Sequence, residues 1–130
     1  MTAFVVGHKS PDTDSVCAAI ALADLKSKIG VEAKPAVQGE INPESRFVLD
    51  KFGLDAPEIL TDGAGKQVFL VDHSDLAQSL DNLDKDKLLG IVDHHKVGDV
   101  TTPNPIWVWT WPVGCTCTVI KNMYDFFQVE

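Results

Sequence analysis

Three unbroken apolar runs, each ending in side chains suited to hold a metal ion, constrain this chain more than any other feature. Ala3-Phe4-Val5-Val6 runs into Gly7-His8 and then Pro11-Asp12-Thr13-Asp14-Ser15; Val68-Phe69-Leu70-Val71 runs into Asp72; Leu88-Leu89-Gly90-Ile91-Val92 runs into Asp93-His94-His95. Runs of this length, set between helical stretches, read as strands buried on both faces of a parallel sheet. Parallel strands point the same way, so the residues just past their C-terminal ends gather along one rim, where open α/β sheets bind ligands. His8, Asp12, Asp14, Asp72, Asp93, His94 and His95 are thereby expected to share one crevice. Their charges would repel one another and lose hydration if left unpaired, and a cation is the natural neutraliser. Carboxylate and imidazole donors without a thiolate suit Mn²⁺, Fe²⁺, Co²⁺ or Zn²⁺ better than Ca²⁺. The pattern predicts a site for two divalent metals.

The 130 residues have the size of one domain able to bury a real core. A net charge of −8, with no Lys/Arg cluster, argues against a nucleic-acid face built on phosphate contacts. No segment approaches the roughly 20 apolar residues of a membrane span, and Met1 runs into a strand without the pattern of a signal peptide. Cys17, Cys115 and Cys117 are an odd count without framework spacing, which fits a reducing compartment. The expected location is cytoplasmic.

Between the strands, Asp14 to Ile29 carries apolar residues at helical spacing and Gly30 stops the helix. Ala33 to Gly39 is a weaker strand candidate. Asn42-Pro43-Glu44 opens a helix, with Asn42 as cap, that runs to about Phe52. Asp62 to Gly65 is a turn, and Asp75 to Lys87 holds a short helix or loop. Ile106 to Trp111 alternates, placing Trp107, Trp109 and Trp111 on one face, and Pro112-Val113-Gly114 leads into a last helix through about Phe127. The order predicts an α/β domain, a mostly parallel sheet flanked by helices, with the metal site at the C-terminal ends of the strands.

Each motif also has an ordinary structural reading. Asp14 and Ser15 serve equally as helix caps, Pro11-Asp12 as a turn, and Asp72 as the cap of a following helix. Adjacent imidazoles after an apolar strand are harder to assign to packing, and a carboxylate beside them fits an orienting role. Only the metal reading covers all three strand ends at once. His73 is expected to point away as a solvated or rim residue. The three cysteines read as small packing residues, and the tryptophan stripe as a face packed on the core or on a partner subunit.

The segments Gly7-His8-Lys9-Ser10-Pro11-Asp12-Thr13-Asp14-Ser15, Val71-Asp72-His73, Val92-Asp93-His94-His95-Lys96 and Pro112-Val113-Gly114-Cys115-Thr116 together resemble the successive motifs of family II inorganic pyrophosphatases, in the DHH phosphoesterase superfamily. The resemblance runs over nearly the whole chain, and the Asp-Thr-Asp-Ser form of the first motif separates it from related oligonucleotide phosphodiesterases. It implies hydrolysis of pyrophosphate to two orthophosphates by a metal-activated water. His8 and Asp12 would hold one metal, Asp14 and His94 the other, and Asp72 would bridge them. Asp93 would orient the histidine ligand, and His95 would face a phosphate. Mn²⁺ (or Co²⁺) would be resident, with Mg²⁺ accompanying the substrate. The resemblance further implies a homodimer. It also implies that residues 1–130 are a truncated N-terminal metal-binding piece, lacking a further ligating Asp and a second domain whose Lys and Arg side chains clamp pyrophosphate. The piece alone would then be weakly active or inactive. The alternatives are a DHH-type phosphodiesterase acting on short oligonucleotides or cyclic dinucleotides, and a non-catalytic metal-binding module.

Overall fold

In the computed structural model, which describes all 130 residues, six strands form one sheet in the order β3-β2-β1-β4-β5-β6, and every neighbouring pair is parallel. β1 is Ala3–Val6, β2 Ala33–Val37, β3 Glu58–Ile59, β4 Val68–Val71, β5 Leu88–Asp93 and β6 Trp107–Thr110. The chain first moves outward in one direction through β1, α1 (Thr13–Lys28), β2, α2 (Pro43–Phe52) and β3. It then returns to lay β4 on the other side of β1 and continues outward through β5 and β6 to α3 (Thr116–Phe126). The direction reverses between β1 and β4, and such a switch point opens a crevice beyond the strand ends. His8 follows β1 and Asp72 follows β4, so the topology sets these two side by side.

Alternation along the strands divides the core in two. Val5, Phe69, Val71 and Val92 face α1 and α3, packing with Ala18, Ala19, Leu22, Leu25, Val119, Ile120 and Met123. Val6, Val68, Leu70 and Ile91 face the other way, against Leu80, Leu83, Val100 and Ile106. That second face is covered by loops rather than by a helix, and α2 instead packs Leu49 against Val16 of α1. The stretch expected as a short helix or loop after Asp75 is two single 3-10 turns, Leu76–Gln78 and Lys85–Lys87. Each fully buried Val or Leu contributes about 1.5–3 kcal/mol, so the strand and α1 residues dominate stability. No helix is long and apolar enough to cross a membrane.

The helix ends follow the capping rules. Asp12 caps α1 by accepting from the Ser15 amide at 2.8 Å, and Asn42 caps α2 by accepting from the Ser45 amide at 2.8 Å. Gly53 closes α2 in the left-handed conformation, φ 66°. α3 has no capping side chain of its own at Cys115. A carboxylate from α1 does that work, as described below. Cys117 packs against the main core, and all three cysteines are free. Trp107 and Trp109 share the α3 side of β6 with Phe126 and Phe127, whereas Trp111 lies past the strand.

β1 hands over to α1 through a contact with no spare room. A Cβ on Gly7 would lie 2.6 Å from Ser15 Cβ. Gly7→Ala is therefore expected to lower stability by about 1–3 kcal/mol and to push Ser15 off its hydrogen bond to Asp72. Urea denaturation of the two proteins measures this, and an unchanged midpoint would show that the β1–α1 contact has slack.

Candidate metal centre

Asp72 is the hub. It is 2 % exposed and adopts a left-handed backbone, φ 64°, which turns the chain sharply at the end of β4. Its amide still donates to the Val92 carbonyl at 3.0 Å, extending the β4–β5 pairing by one step. The two carboxylate oxygens serve opposite sides of the crevice. Oδ2 accepts from Ser15 Oγ at 2.8 Å and lies 3.1 Å from His8 Nε2. Oδ1 accepts from Thr116 Oγ1 at 3.2 Å and lies 3.0 Å from His94 Nε2.

Around each oxygen the expected ligands assemble into a separate cluster. On the β1 side, His8 Nε2 also sits 3.6 Å from Asp12 Oδ2, and one donor atom from each of His8, Asp12 and Asp72 falls within 4.8 Å of the others. Asp12 fills both of its sequence readings, since Oδ1 caps α1 while Oδ2 faces His8. On the β5 side, His94 Nε2 lies 3.5 Å from Asp14 Oδ2, and Asp72, Asp93, His94 and His95 can present donor atoms within 4.8 Å of one another. Asp14, for which the sequence left open a metal ligand or a cap of its own helix, also reaches across to α3. Its Oδ2 accepts from the Thr116 amide at 2.9 Å and its Oδ1 from the Cys117 amide at 3.1 Å, satisfying donors that α3 cannot satisfy itself.

The imidazoles are held by their other nitrogen. His8 Nδ1 donates to the Lys9 carbonyl at 2.6 Å and His94 Nδ1 to the Val113 carbonyl at 2.9 Å, which leaves Nε2 of each toward the carboxylates. The His94 ring is thus oriented by a backbone carbonyl, not by Asp93 as the sequence reading expected. Asp93 Oδ1 instead takes His95 Nδ1 at 2.7 Å, together with the amides of His94 at 2.7 Å and His95 at 3.2 Å. His95, half exposed, lines a polar cleft of about 470 Å³ with His8, Ser74, Gln78 and Lys96.

The charges of these side chains depend on one another. The hydrogen bond to Asp72 outweighs burial and raises the His8 pKa to about 9. Burial opposes charge on His94, but the Val113 carbonyl and Asp72 outweigh it and raise its pKa too. Burial alone would push the Asp72 carboxyl up; hydrogen bonds from His8 and Ser15 instead hold it well below the usual carboxylate range. Burial and the neighbouring Asp72 raise the Asp14 carboxyl. Each imidazolium proton therefore lies among carboxylate oxygens where a divalent cation would find imidazole and carboxylate donors together. With Asp93 Oδ2 buried and unpartnered as well, the donor set fits two cations of the kind that take nitrogen and oxygen ligands.

Two corrections concern residues outside that set. His73, expected as a solvated or rim residue, is 4 % exposed, and burial holds its pKa below the usual histidine range. Ser15 and Thr116, which donate to Asp72, were legible only as a helix cap and as part of a terminal motif. A small hydroxyl one turn into a helix that starts at a strand end was the signal available for Ser15.

The chain is similar to several known proteins. The chain is 55% identical to the "Probable manganese-dependent inorganic pyrophosphatase" of Archaeoglobus fulgidus, over 98% of its own length and 43% of that protein's. It is 49% identical to the manganese-dependent inorganic pyrophosphatase of Methanothrix thermoacetophila, over 94% of its length and 40% of that protein's. A solved structure described as "Methanococcus jannaschii putative family II inorganic pyrophosphatase" superposes with a TM-score of 0.87 at 49% identity, covering 97% of this chain and 39% of that one. The chain thus spans about two fifths of the length of the curated relatives it matches. The DHH family, N-terminal domain, matches residues 2–130, and the chain belongs to that family.

Proposed function

We propose that residues 1–130 form the metal-binding domain of a manganese-dependent inorganic pyrophosphatase, which hydrolyses pyrophosphate to two orthophosphates. The observation that carries this reading is the division of the buried Asp72 carboxylate between a His8/Asp12 cluster and a His94/Asp14 cluster. The names of the relatives support pyrophosphate as substrate and Mn²⁺ as resident metal, with Mg²⁺ arriving on the substrate.

In this proposal His8, Asp12 and Asp72 hold one ion and Asp14, Asp72 and His94 the other. Two such ions, when bound, activate a water and offset charge on the phosphoryl oxygens. Ser15 and Thr116 fix the rotation of the Asp72 carboxylate by donating to one oxygen each, so that each oxygen faces its own cluster. The carbonyls of Lys9 and Val113 fix Nδ1–H on the two ligating rings, so neither must reorient when Nε2 loses its proton. Asp93 holds His95 by Nδ1, leaving its Nε2 to meet a phosphate oxygen. Apart from histidines, Lys96 is the one cationic side chain lining the cleft. Cationic groups outside residues 1–130 would therefore carry much of the charge compensation for a polyanion.

The domain is further proposed to form a homodimer through β6. This last strand in the sheet order pairs with β5 on one side, and Trp107 and Val108 beside its other edge are 54 % and 57 % exposed. An uncovered strand edge flanked by large apolar groups favours pairing with a second copy. Sedimentation is expected to give a dimer at micromolar concentration that Val108→Lys converts to monomer. A wild-type monomer at that concentration rules the interface out.

Mn²⁺ is expected to raise the melting temperature, and Asp72→Asn to remove most of that gain by weakening both clusters together. The pH dependence has a definite sign. Protonated His8, its pKa raised from 6.5 to about 9, stabilises the metal-free fold fully below pH 6.5, and that contribution is lost as pH rises through 9. Mn²⁺ must displace the same proton, so its stabilising effect should grow over the same interval. Equal Mn²⁺ shifts for wild type and Asp72→Asn, or a shift independent of pH, would exclude this arrangement.

Phosphate release from pyrophosphate tests the activity itself. A longer form spanning the full length of the relatives is expected to turn over in Mn²⁺/Mg²⁺ buffer. Residues 1–130 alone should be slower by roughly two orders of magnitude or more, since preorganised charge compensation contributes that much. His95→Gln should slow the longer form. A longer form inactive on pyrophosphate that cleaves a dinucleotide would overturn the substrate assignment.

A further inference from the structure

All four histidines of the chain are anchored by Nδ1: His8 to the Lys9 carbonyl, His94 to the Val113 carbonyl, His95 to Asp93 Oδ1, and His73 to the Val71 carbonyl at 2.9 Å. A carbonyl or carboxylate oxygen only accepts, so each ring carries its proton on Nδ1 and commits Nε2 to another task. For His8 and His94 that task is the carboxylate cluster, and the half-exposed His95 ring lines the cleft. His73 is the fourth case and has no visible task. Its ring is 4 % exposed in the wall of the same cleft, and Nε2 is buried without a partner. With Nδ1–H committed to Val71, that nitrogen is a bare lone pair in need of a donor. Native folds rarely keep such an atom unless a ligand or bound water completes it.

The rest of the wall indicates which donor. The Lys96 ammonium can donate to an anion seated in the cleft, while His73 Nε2 can only accept. A ligand that complements both kinds of group carries acceptor oxygens and an O–H together. We propose that His73 Nε2 is a ligand-binding acceptor for an O–H group held in the cleft: the P–O–H of a protonated phosphate, or a water carried on a divalent cation. This role presupposes the metal-and-phosphate reading of the cleft and adds to it a residue outside the two metal clusters.

Nitrogen-15 spectra of the histidine-labelled chain separate the two donors, with diamagnetic Mg²⁺ as the metal probe. The His73 Nε2 resonance should start at the position of an unprotonated, unbonded nitrogen. It should move upfield on addition of Mg²⁺ if the donor is a cation-bound water, or on later addition of inorganic phosphate if it is a P–O–H. A resonance unmoved by both additions overturns the proposal. His73→Asn supplies the second arm, because its amide nitrogen can replace Nδ1 toward Val71 while Nε2 is lost. It should keep the wild-type melting temperature yet bind the effective probe roughly three- to tenfold more weakly. Unchanged affinity for both probes would overturn the role. Failure of the pyrophosphatase reading would show separately, as a longer form inactive on pyrophosphate in which the His73 shifts persist.

Discussion

The structure depends on keeping one charged carboxylate, that of Asp72, almost out of water at 2 % exposure. Removing such an ion from solvent costs on the order of several kcal/mol unless its lone pairs are taken up. Ser15, His8, Thr116 and His94 take them, and they come from α1, the β1 end, α3 and the β5 end. The left-handed backbone at Asp72 adds a local cost of about 1–3 kcal/mol. In return the side chain points into the switch point between β1 and β4 rather than along the strand. Four elements thus converge on one residue, and the parallel sheet makes that convergence possible by ending all its strands on the same side.

Within the centre, the charge of each group depends on its neighbours. His8 and His94 are drawn toward the charged form by the carboxylates they face, and Asp14 is pushed toward the neutral form by burial beside Asp72. These shifts lessen the repulsion among the clustered carboxylates. The protons on these groups must leave when ions enter, so metal affinity, proton release and fold stability are linked quantities. The carbonyl anchors on Nδ1 matter here because they let Nε2 change from proton carrier to ligand without ring motion.

Much of this was legible in the sequence because the strands are apolar on both faces and end abruptly in polar residues. β1, β4 and β5, the two capped helices and the convergence of His8, Asp12, Asp14, Asp72, His94 and His95 all follow from that pattern. β3 was not legible, since Glu58–Ile59 is only two exposed residues aligned by β2 rather than by a pattern of its own. The second covering of the sheet was also hidden. Leu80 and Leu83 lie in a loop whose composition reads as polar, and only the tertiary fold shows them against Leu70 and Ile91. His73 was misread because alternation along an extended chain fails where Asp72 turns left-handed. The partner of Asp93 was misassigned for a related reason: which of two adjacent imidazoles a carboxylate holds depends on the backbone bend past Asp93, not on order in the chain.

Asp14 serves two masters. Its oxygens cap the first turn of α3 through the amides of Thr116 and Cys117, and Oδ2 also faces His94 in the metal cluster. The negative charge of that carboxylate also complements the N-terminal dipole of α3, so one side chain from α1 both anchors and orients the last helix. At its other end α3 carries Phe126 and Phe127 against Trp107 and Trp109 of the edge strand. α3, about three turns long, therefore connects the charged rim of the sheet to its aromatic flank, and a change in the length or tilt of that one helix would be felt at both.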